Sequence, residues 1–298
     1  PGSSSPAQGH GPSGSTSLSP RLLRRAAAPV MAEPHIPAAL DWDSSSASFM
    51  LRILDHVPEE DLVTAVRRMQ GTEYFHGQHR CEMTFDFSVV EAEIQHCLEW
   101  AAEPVGPEPE RRHMCEELRH VGLDRLAAVR AWTGDVCYVV TTLLRGRSRT
   151  HEKLRPILPF CRLFFAGLHR LPERFLFEGT LYRAENGARS NWDTVCKAGR
   201  KLQWFAPLSF TTDPIVLPTF AAKTGDRTII ELKGACGYRM RDLSLHPGEE
   251  EVLLECVSTA AVESAEKYHA DHMLMKSGQV AVNPGLHVLY ATQRAGFE

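Results

Sequence analysis

A change in the spacing of apolar residues, a little beyond the middle of the chain, most constrains its fold. In the first half, apolar side chains recur every three or four residues, as in Leu62, Val66 and Met69, which is typical of amphipathic helices. From Gly179 onward the apolar runs are short or alternating, and Gly, Pro, Asp and Asn separate them. Helices followed by strands indicate an α+β architecture.

Each half yields specific elements. Ser88 and Glu91 form a capping-box pattern that predicts a helix start. A later run from Leu118 to Val129 has one apolar face, and a last helix around Phe164 is closed before Leu171-Pro172. We expect strands over residues 179–183, 205–211, 228–232, 251–257 and 287–291.

The chain divides into three regions by composition. Residues 1–38 are rich in Ser, Gly, Pro and Ala and have no acid before Glu33, so they lack the apolar content to fold alone. Arg21, Arg24 and Arg25 make this tail resemble an organelle transit peptide. A plain disordered tail, or sequence upstream of a start at Met31, is the favoured alternative. A helical region over 39–115 and a third region over 116–298 follow.

Composition excludes several classes of partner. A chain of 298 residues with 43% hydrophobic residues can bury a core, and its net charge of −4 gives no general attraction to nucleic acid or anionic membranes. The longest apolar runs are too short to cross a bilayer. Eight cysteines without a C-x-x-C pair favour reduced, buried thiols. We therefore expect a soluble, intracellular protein with neither a membrane nor a nucleic acid as its partner.

Glu249-Glu250-Glu251 stands directly before the apolar run Val252-Leu253-Leu254. In a strand, Glu249 and Glu251 would share one face and Glu250 would point to the other. Two acids on one face resist burial unless a cation, a ligand or a cleft compensates them. The pair is a candidate site, with an ordinary solvated strand end as the alternative.

Two other predicted strands also end in polar groups. Arg183 closes the first strand, where its planar fork could hold a phosphate or an acid. Ser209 and Thr211 bring hydroxyls to the end of the next strand. A surface arginine and a helix cap are the alternatives. A cation, hydroxyls and a carboxylate pair at successive strand ends would suit an anionic, ribose-bearing ligand.

Metal binding and thiol chemistry have weaker support. The residue groups concerned are His76 with His79 and Cys81, His269 with His272, and Cys236 alone. No second cluster completes a tetrahedral site, so turn or surface positions are favoured for the histidines and we expect no metal. A Cys nucleophile would need a base that the sequence does not reveal.

From about Glu116 to the C-terminus, the chain resembles the arginine-specific mono-ADP-ribosyltransferases of the R-S-E class. Two positions depart from that pattern, since Ala184 replaces a glycine and Ser209-Phe210-Thr211 replaces S-T-S. The matching segments are Trp132-Thr133-Gly134 with Tyr138, Leu143-Leu144-Arg145, His169-Arg170-Leu171-Pro172, Gly179-Thr180-Leu181-Tyr182-Arg183, Leu243-Ser244-Leu245 and the E-x-E-V-L-L motif.

The resemblance implies a helical N-terminal half followed by a mixed β-sandwich ADP-ribosyltransferase core, with 116–298 as the catalytic domain. It also implies a reaction in which NAD is cleaved at its nicotinamide–ribose bond and ADP-ribose passes to an arginine of an acceptor protein. An NAD glycohydrolase that uses water as acceptor, and a catalytically silent NAD-binding module, remain open.

By the same resemblance, individual residues receive roles. Glu251 would stabilise the developing cation, Glu249 would deprotonate the acceptor arginine, and the turn from Gly237 to Gly248 would recognise the acceptor. The residues implied in NAD binding are Arg183, Ser209, Thr211 and Phe220. Phe220 would stack on nicotinamide, although a core aromatic is the favoured alternative.

Overall fold

A computed structural model describes residues 53–76, 81–102, 114, 116–146, 151–186, 197–217, 227–255, 258–268, 272–275, 278–281 and 286–293. The helices in these ranges are α1 (Leu62–Arg67), α2 (Phe87–Ala102), α3 (Leu123–Ala131), α4 (Val136–Arg145), α5 (His151–Leu154) and α6 (Leu158–Leu168). The strands are β1 (Glu73–His76), β2 (Cys81–Thr84), β3 (Leu176–Asn186), β4 (Lys201–Trp204), β5 (Leu208–Thr211), β6 (Arg227–Arg239), β7 (Glu251–Leu254), β8 (Ser258–Tyr268), β9 (His272–Met275), β10 (Gly278–Ala281) and β11 (Leu286–Gln293).

The helix-then-strand order matches the sequence prediction, with one exception. β1 and β2 pair antiparallel inside the helical half, and their four-residue lengths are too short for a clear alternating pattern. In the second half, all five expected strands are present with shifted ends, while β4, β8, β9 and β10 lie outside the expected strands.

Two helix predictions are wrong in detail. α2 begins at Phe87, because the carboxylate of Asp86 accepts the Ser88 N–H at 3.0 Å and thereby caps the helix. This backbone hydrogen bond also lowers the pKa of Asp86. The expected helix from Leu118 to Val129 is interrupted at Gly122, whose φ of 93° ends a short 3-10 turn before α3 starts.

A single hydrophobic cluster joins the helices across most of their length. It extends from Ile53 to Leu253 and contains buried residues of α1, α2, α3, α4 and α6. Phe164 of α6 lies within it, with its ring stacked on Trp132 at 4.5 Å. Residues 53–102 therefore bury their apolar side chains in the same core as residues 116–171. None of the helices in the described ranges is long and apolar enough to cross a membrane.

The main sheet has the strand order β3-β5-β7-β6-β11-β8-β4. Among the strand pairings of the described residues in this sheet, β6–β11 is parallel and the others are antiparallel. Because β3 pairs with β6 as well as with β5, the strands β3, β5, β7 and β6 pair in a closed circuit. This circuit brings the ends of β3, β5 and β7 side by side; the layering of the sheet as a sandwich stays a prediction.

Candidate active site

Three of the residues singled out in the sequence lie together on neighbouring strands. Thr211 of β5 is directly opposite Tyr182 of β3 and Glu251 of β7. Ser209 lies on β5, and Arg183 follows Tyr182 on β3. The antiparallel register thus assembles Arg183, Ser209 and Glu251 from segments that are far apart in the sequence.

Direct hydrogen bonds connect the three residues. The Ser209 hydroxyl donates a short hydrogen bond to Oε1 of Glu251, whose residue is only 8% exposed. Nη1 of Arg183 donates to the Ser209 carbonyl oxygen at 2.6 Å, and Nε donates to Glu185 Oε1 at 3.3 Å. The Ser209 hydroxyl therefore orients the buried Glu251 carboxylate. The Arg183 guanidinium is hydrogen-bonded to the backbone of Ser209 on β5.

These residues line a cleft of about 860 Å³. Arg183, Pro207, Ser209 and Glu251 belong to the sheet side of the cleft. Further lining side chains come from β1, α2, the α3–α4 connection, α4 and the turn before β7: Phe75, Glu93, Asp135, Cys137, Tyr138, Arg145 and His246. The volume falls within the range of about 300–1,000 Å³ that is usual for small-molecule sites.

Carboxylates and the Arg145 guanidinium both act on the Cys137 thiol at the start of α4. Burial raises the pKa of Cys137, and the carboxylates of Glu251 and Asp135 raise it further. Burial likewise raises the pKa of Glu93, with a further contribution from Asp135. Glu93, Asp135 and Glu251 are thus near enough to act on the same small volume of the cleft.

The local geometry before Glu251 corrects the sequence prediction. Pro247–Glu249 forms a 3-10 turn, and Glu250 has a left-handed backbone with φ 47° and ψ 41°, so the strand begins only at Glu251. Strand alternation therefore does not relate Glu249 to Glu251. Glu250 is ion-paired with Arg241, with Nη1 and Oε1 2.6 Å apart.

Of the two other residues expected to bind NAD, the structure describes Thr211 alone. Thr211 is buried, and its hydroxyl accepts the Asp213 N–H at 3.1 Å. Its side chain is therefore engaged in a local turn. Phe220 lies outside the described residues.

The metal alternative gains nothing from the described residues. His76 is buried, packs against the Tyr138 ring with centroids 4.2 Å apart, and has Nε2 3.7 Å from Asp135 Oδ1. Cys81 is exposed on β2, and His79 lies outside the described residues. Across the part of the chain that the structure describes, no group of three or more His, Cys, Asp or Glu residues could hold a metal ion. The Cys236 thiol is free and exposed rather than buried as expected.

A second polar network, not anticipated from the sequence, supports the far end of β7. The Tyr238 hydroxyl donates to Glu255 Oε1 at 2.9 Å, and His169 Nε2 lies 2.7 Å from the same oxygen. The hydrogen bond to Glu255 raises the pKa of His169. Burial acts to raise the pKa of Glu255, but its hydrogen bonds with His169 and Tyr238 outweigh burial and lower it. Since β6 extends to Arg239, Tyr238 belongs to a strand and not to the expected recognition turn.

Comparison with known proteins shows similarity at the level of structure alone. No protein-family model and no curated protein sequence matches the chain. The type III effector XopAI from Xanthomonas axonopodis pv. citri is similar with a TM-score of 0.54 and 19% identity, over 78% of this chain and 81% of XopAI. This similarity shows that the two chains share a fold.

Two further solved structures are similar at a lower level. ADP-ribosyltransferase HopU1 of Pseudomonas syringae pv. Tomato DC3000 has a TM-score of 0.49 and 19% identity, over 78% of this chain and 96% of HopU1. ADP-ribosyltransferase Vis from Vibrio splendidus, in complex with agmatine, has a TM-score of 0.49 and 15% identity, over 72% of this chain and 88% of Vis. Both TM-scores lie below 0.5.

Proposed function

We propose that the protein is a mono-ADP-ribosyltransferase that cleaves NAD at the nicotinamide–ribose bond and transfers ADP-ribose to an arginine of an acceptor protein. The observation that carries this proposal is the hydrogen-bonded pair of Ser209 and Glu251 at the edge of the cleft, with Arg183 fixed beside it. Their order along the chain is that of the family that the sequence resembles.

Glu251 has the properties that the cleavage step needs. Loss of nicotinamide develops positive charge on the ribose, so a fixed negative charge beside that ring lowers the barrier. The Glu251 carboxylate is largely excluded from water and held by the Ser209 hydroxyl. Because little reorientation is then required during the reaction, we assign charge stabilisation and ribose contact to Glu251.

Arg183 and Ser209 would position NAD. The hydrogen bond from Nη1 to the Ser209 carbonyl fixes the guanidinium plane at the cleft. A fixed guanidinium can hold a phosphate with two parallel donors, which a lysine cannot do. Thr211 stays a proposed NAD contact of lower priority, because its hydroxyl bonds locally, and Phe220 stays a proposed NAD contact.

Glu249 would act on the acceptor. An arginine side chain has a pKa above 12 and is a poor nucleophile until a carboxylate lies beside it. In the 3-10 turn that precedes β7, Glu249 is two residues from Glu251, at the entrance to the strand that carries the cleavage chemistry. Hydrolysis by water is the second candidate, since it needs only the Glu251 half of the site.

Labelled NAD, supplied with and without agmatine as a small guanidinium acceptor, tests this proposal and separates the two reactions. We expect Glu249→Gln to suppress agmatine modification while NAD hydrolysis persists. Glu250→Gln is the matched control, because its ion pair with Arg241 is largely exposed and contributes little. If both variants modify agmatine at the parent rate, the arginine-acceptor mechanism is wrong even though NAD is consumed.

A further inference from the structure

Glu93 is a cleft residue that the family resemblance does not include, because that resemblance starts at about Glu116. It lies on α2, in the helical region before the candidate catalytic domain, and lines the same cleft as Arg183 and Glu251. The helical region thus contributes a carboxylate to the candidate active site.

The fold makes specific room for this carboxylate at Gly134. A Cβ at that position would lie 2.0 Å from Oε1 of Glu93, far closer than side chains approach one another. Gly134 has no positive φ, so a substitution there would act through the space next to the end of the Glu93 side chain and not through the backbone conformation. Any larger residue at 134 would displace the Glu93 carboxylate from its place.

The two oxygens of Glu93 have different environments. A backbone hydrogen bond from Asp135 favours the charged carboxylate and places it at the start of α4. Oε1 is buried and makes no hydrogen bond with any described residue. Glu93 and Asp135, whose Oδ1 lies 3.7 Å from His76 Nε2, thus place two carboxylates at this end of the cleft. A cation bound there would offset the free-energy cost of burying the Glu93 Oε1 without a hydrogen bond.

We propose that Glu93 determines acceptor specificity by binding the guanidinium of the incoming arginine. This inference rests on the proposed transferase function and names the residue that recognises its second substrate. It gives the helical region over 53–102 a role in catalysis that neither the family motifs nor the sequence pattern assigns.

The position of Glu93 favours the guanidinium over the other cation of the reaction, the nicotinamide ring of NAD. The segment that leads to Glu249 is held against the same wall of the cleft. Thr133 Oγ1 accepts the Leu245 N–H at 2.9 Å, and Arg130 Nη1 donates to the Ser244 carbonyl at 3.0 Å. The charge of His246 also acts on Glu93. Glu93 therefore shares its part of the cleft with His246, which directly precedes the 3-10 turn Pro247–Glu249.

The test compares Glu93→Gln with the parent in steady-state assays of NAD cleavage and agmatine modification. Glutamine keeps an oxygen that can accept the Asp135 N–H, so the substitution removes the charge and retains this hydrogen bond at the start of α4. We expect the KM for agmatine to rise roughly tenfold or more, as for loss of a charged hydrogen bond. The KM for NAD and the rate of hydrolysis without agmatine should stay within about twofold of the parent. Glu99→Gln, an exposed change on the same helix, is the matched control.

Two further measurements keep the outcome decisive. Asp135 lies in the same cleft, so Asp135→Asn should also raise the KM for agmatine. This variant provides the test if Glu93→Gln folds poorly. Calorimetry of agmatine binding needs no turnover and should show the same losses. Unchanged agmatine affinity in Glu93→Gln, or in Asp135→Asn if Glu93→Gln does not fold, or a rise in the KM for NAD instead, overturns this inference alone. A parent that consumes no NAD contradicts the proposed function separately.

Discussion

The absence of a side chain at Gly237 on β6 allows β7 to approach closely. Gly237→Ala should therefore impair the candidate site without altering any of its residues. A Cβ on residue 237 would lie 2.7 Å from the Leu253 carbonyl oxygen and 3.1 Å from Val252 Cγ1, whereas real contacts of this kind are essentially never below 3.0 Å. The nearest atom is backbone and cannot rotate away. β7 must therefore move, and β7 carries Glu251 at its first position.

The expected magnitude follows from two opposing terms. Overpacking a close contact costs about 1–3 kcal/mol, whereas the reduced freedom of the unfolded chain on Gly→Ala returns about 0.4–1 kcal/mol. With central values of about 2 and about 0.7 kcal/mol for the two terms, the free energy of unfolding should fall by about 1.3 kcal/mol. Because a misplacement of about 1 Å can cost a hundredfold in rate, a smaller shift of Glu251 should lower NAD cleavage by roughly tenfold.

Gly167→Ala provides the matched control. Its added Cβ would also lie 2.7 Å from a backbone oxygen, that of Arg125, but this contact is between α3 and α6 and not at β7. Denaturant unfolding and NAD cleavage per folded molecule should be measured for both variants. Gly167→Ala should keep its activity at temperatures where it is folded. Parental stability and activity in Gly237→Ala would refute the argument that this contact positions Glu251.

Two further substitutions probe the anchoring and support of the site. Arg183→Lys should raise the Kd for NAD by roughly tenfold, because a point charge replaces a planar fork; unchanged affinity in calorimetry would remove Arg183 from the NAD site. His169→Gln should be less stable than the parent by under about 1 kcal/mol, since the pair with Glu255 is partly exposed. The raised pKa of His169 means that its contribution is complete below pH 6.5 and is lost as the pH rises through the folded pKa. The lowered pKa of Glu255 means that its contribution is complete above pH 4.5 and is lost at lower pH. The stability difference should therefore be largest between pH 4.5 and 6.5, and a difference that grows above that window would contradict the assignment.

The sequence predicted the parts of the molecule that depend on local pattern. Helical spacing located most of the helices, and Arg183, Ser209 and Glu251 stood out because each lies near the end of an apolar run. The pattern failed where one residue changes the backbone. Gly122 interrupts an apparently continuous helix, and Glu250 adopts a left-handed conformation that separates Glu249 from the strand.

Other features depend on tertiary packing and have no local signal. Glu93 has the sequence context of a surface residue on an amphipathic helix, and its approach to Gly134 and Asp135 in the α3–α4 connection brings it to the cleft. The pairing of His169 with Glu255 joins residues 86 positions apart. Long-range contacts of this kind follow from the fold as a whole, so no spacing rule could have indicated them.

The most direct test of the account is NAD cleavage by Glu251→Gln. Glutamine preserves the shape of the side chain and an acceptor for the Ser209 hydroxyl, so circular dichroism and thermal unfolding should match those of the parent. Loss of the charge should lower both hydrolysis and agmatine modification by about a hundredfold or more, since both reactions share the cleavage step. Near-parental cleavage by the folded variant, or a parent that leaves labelled NAD intact, would contradict the central claim that Glu251 acts in an NAD-cleaving site.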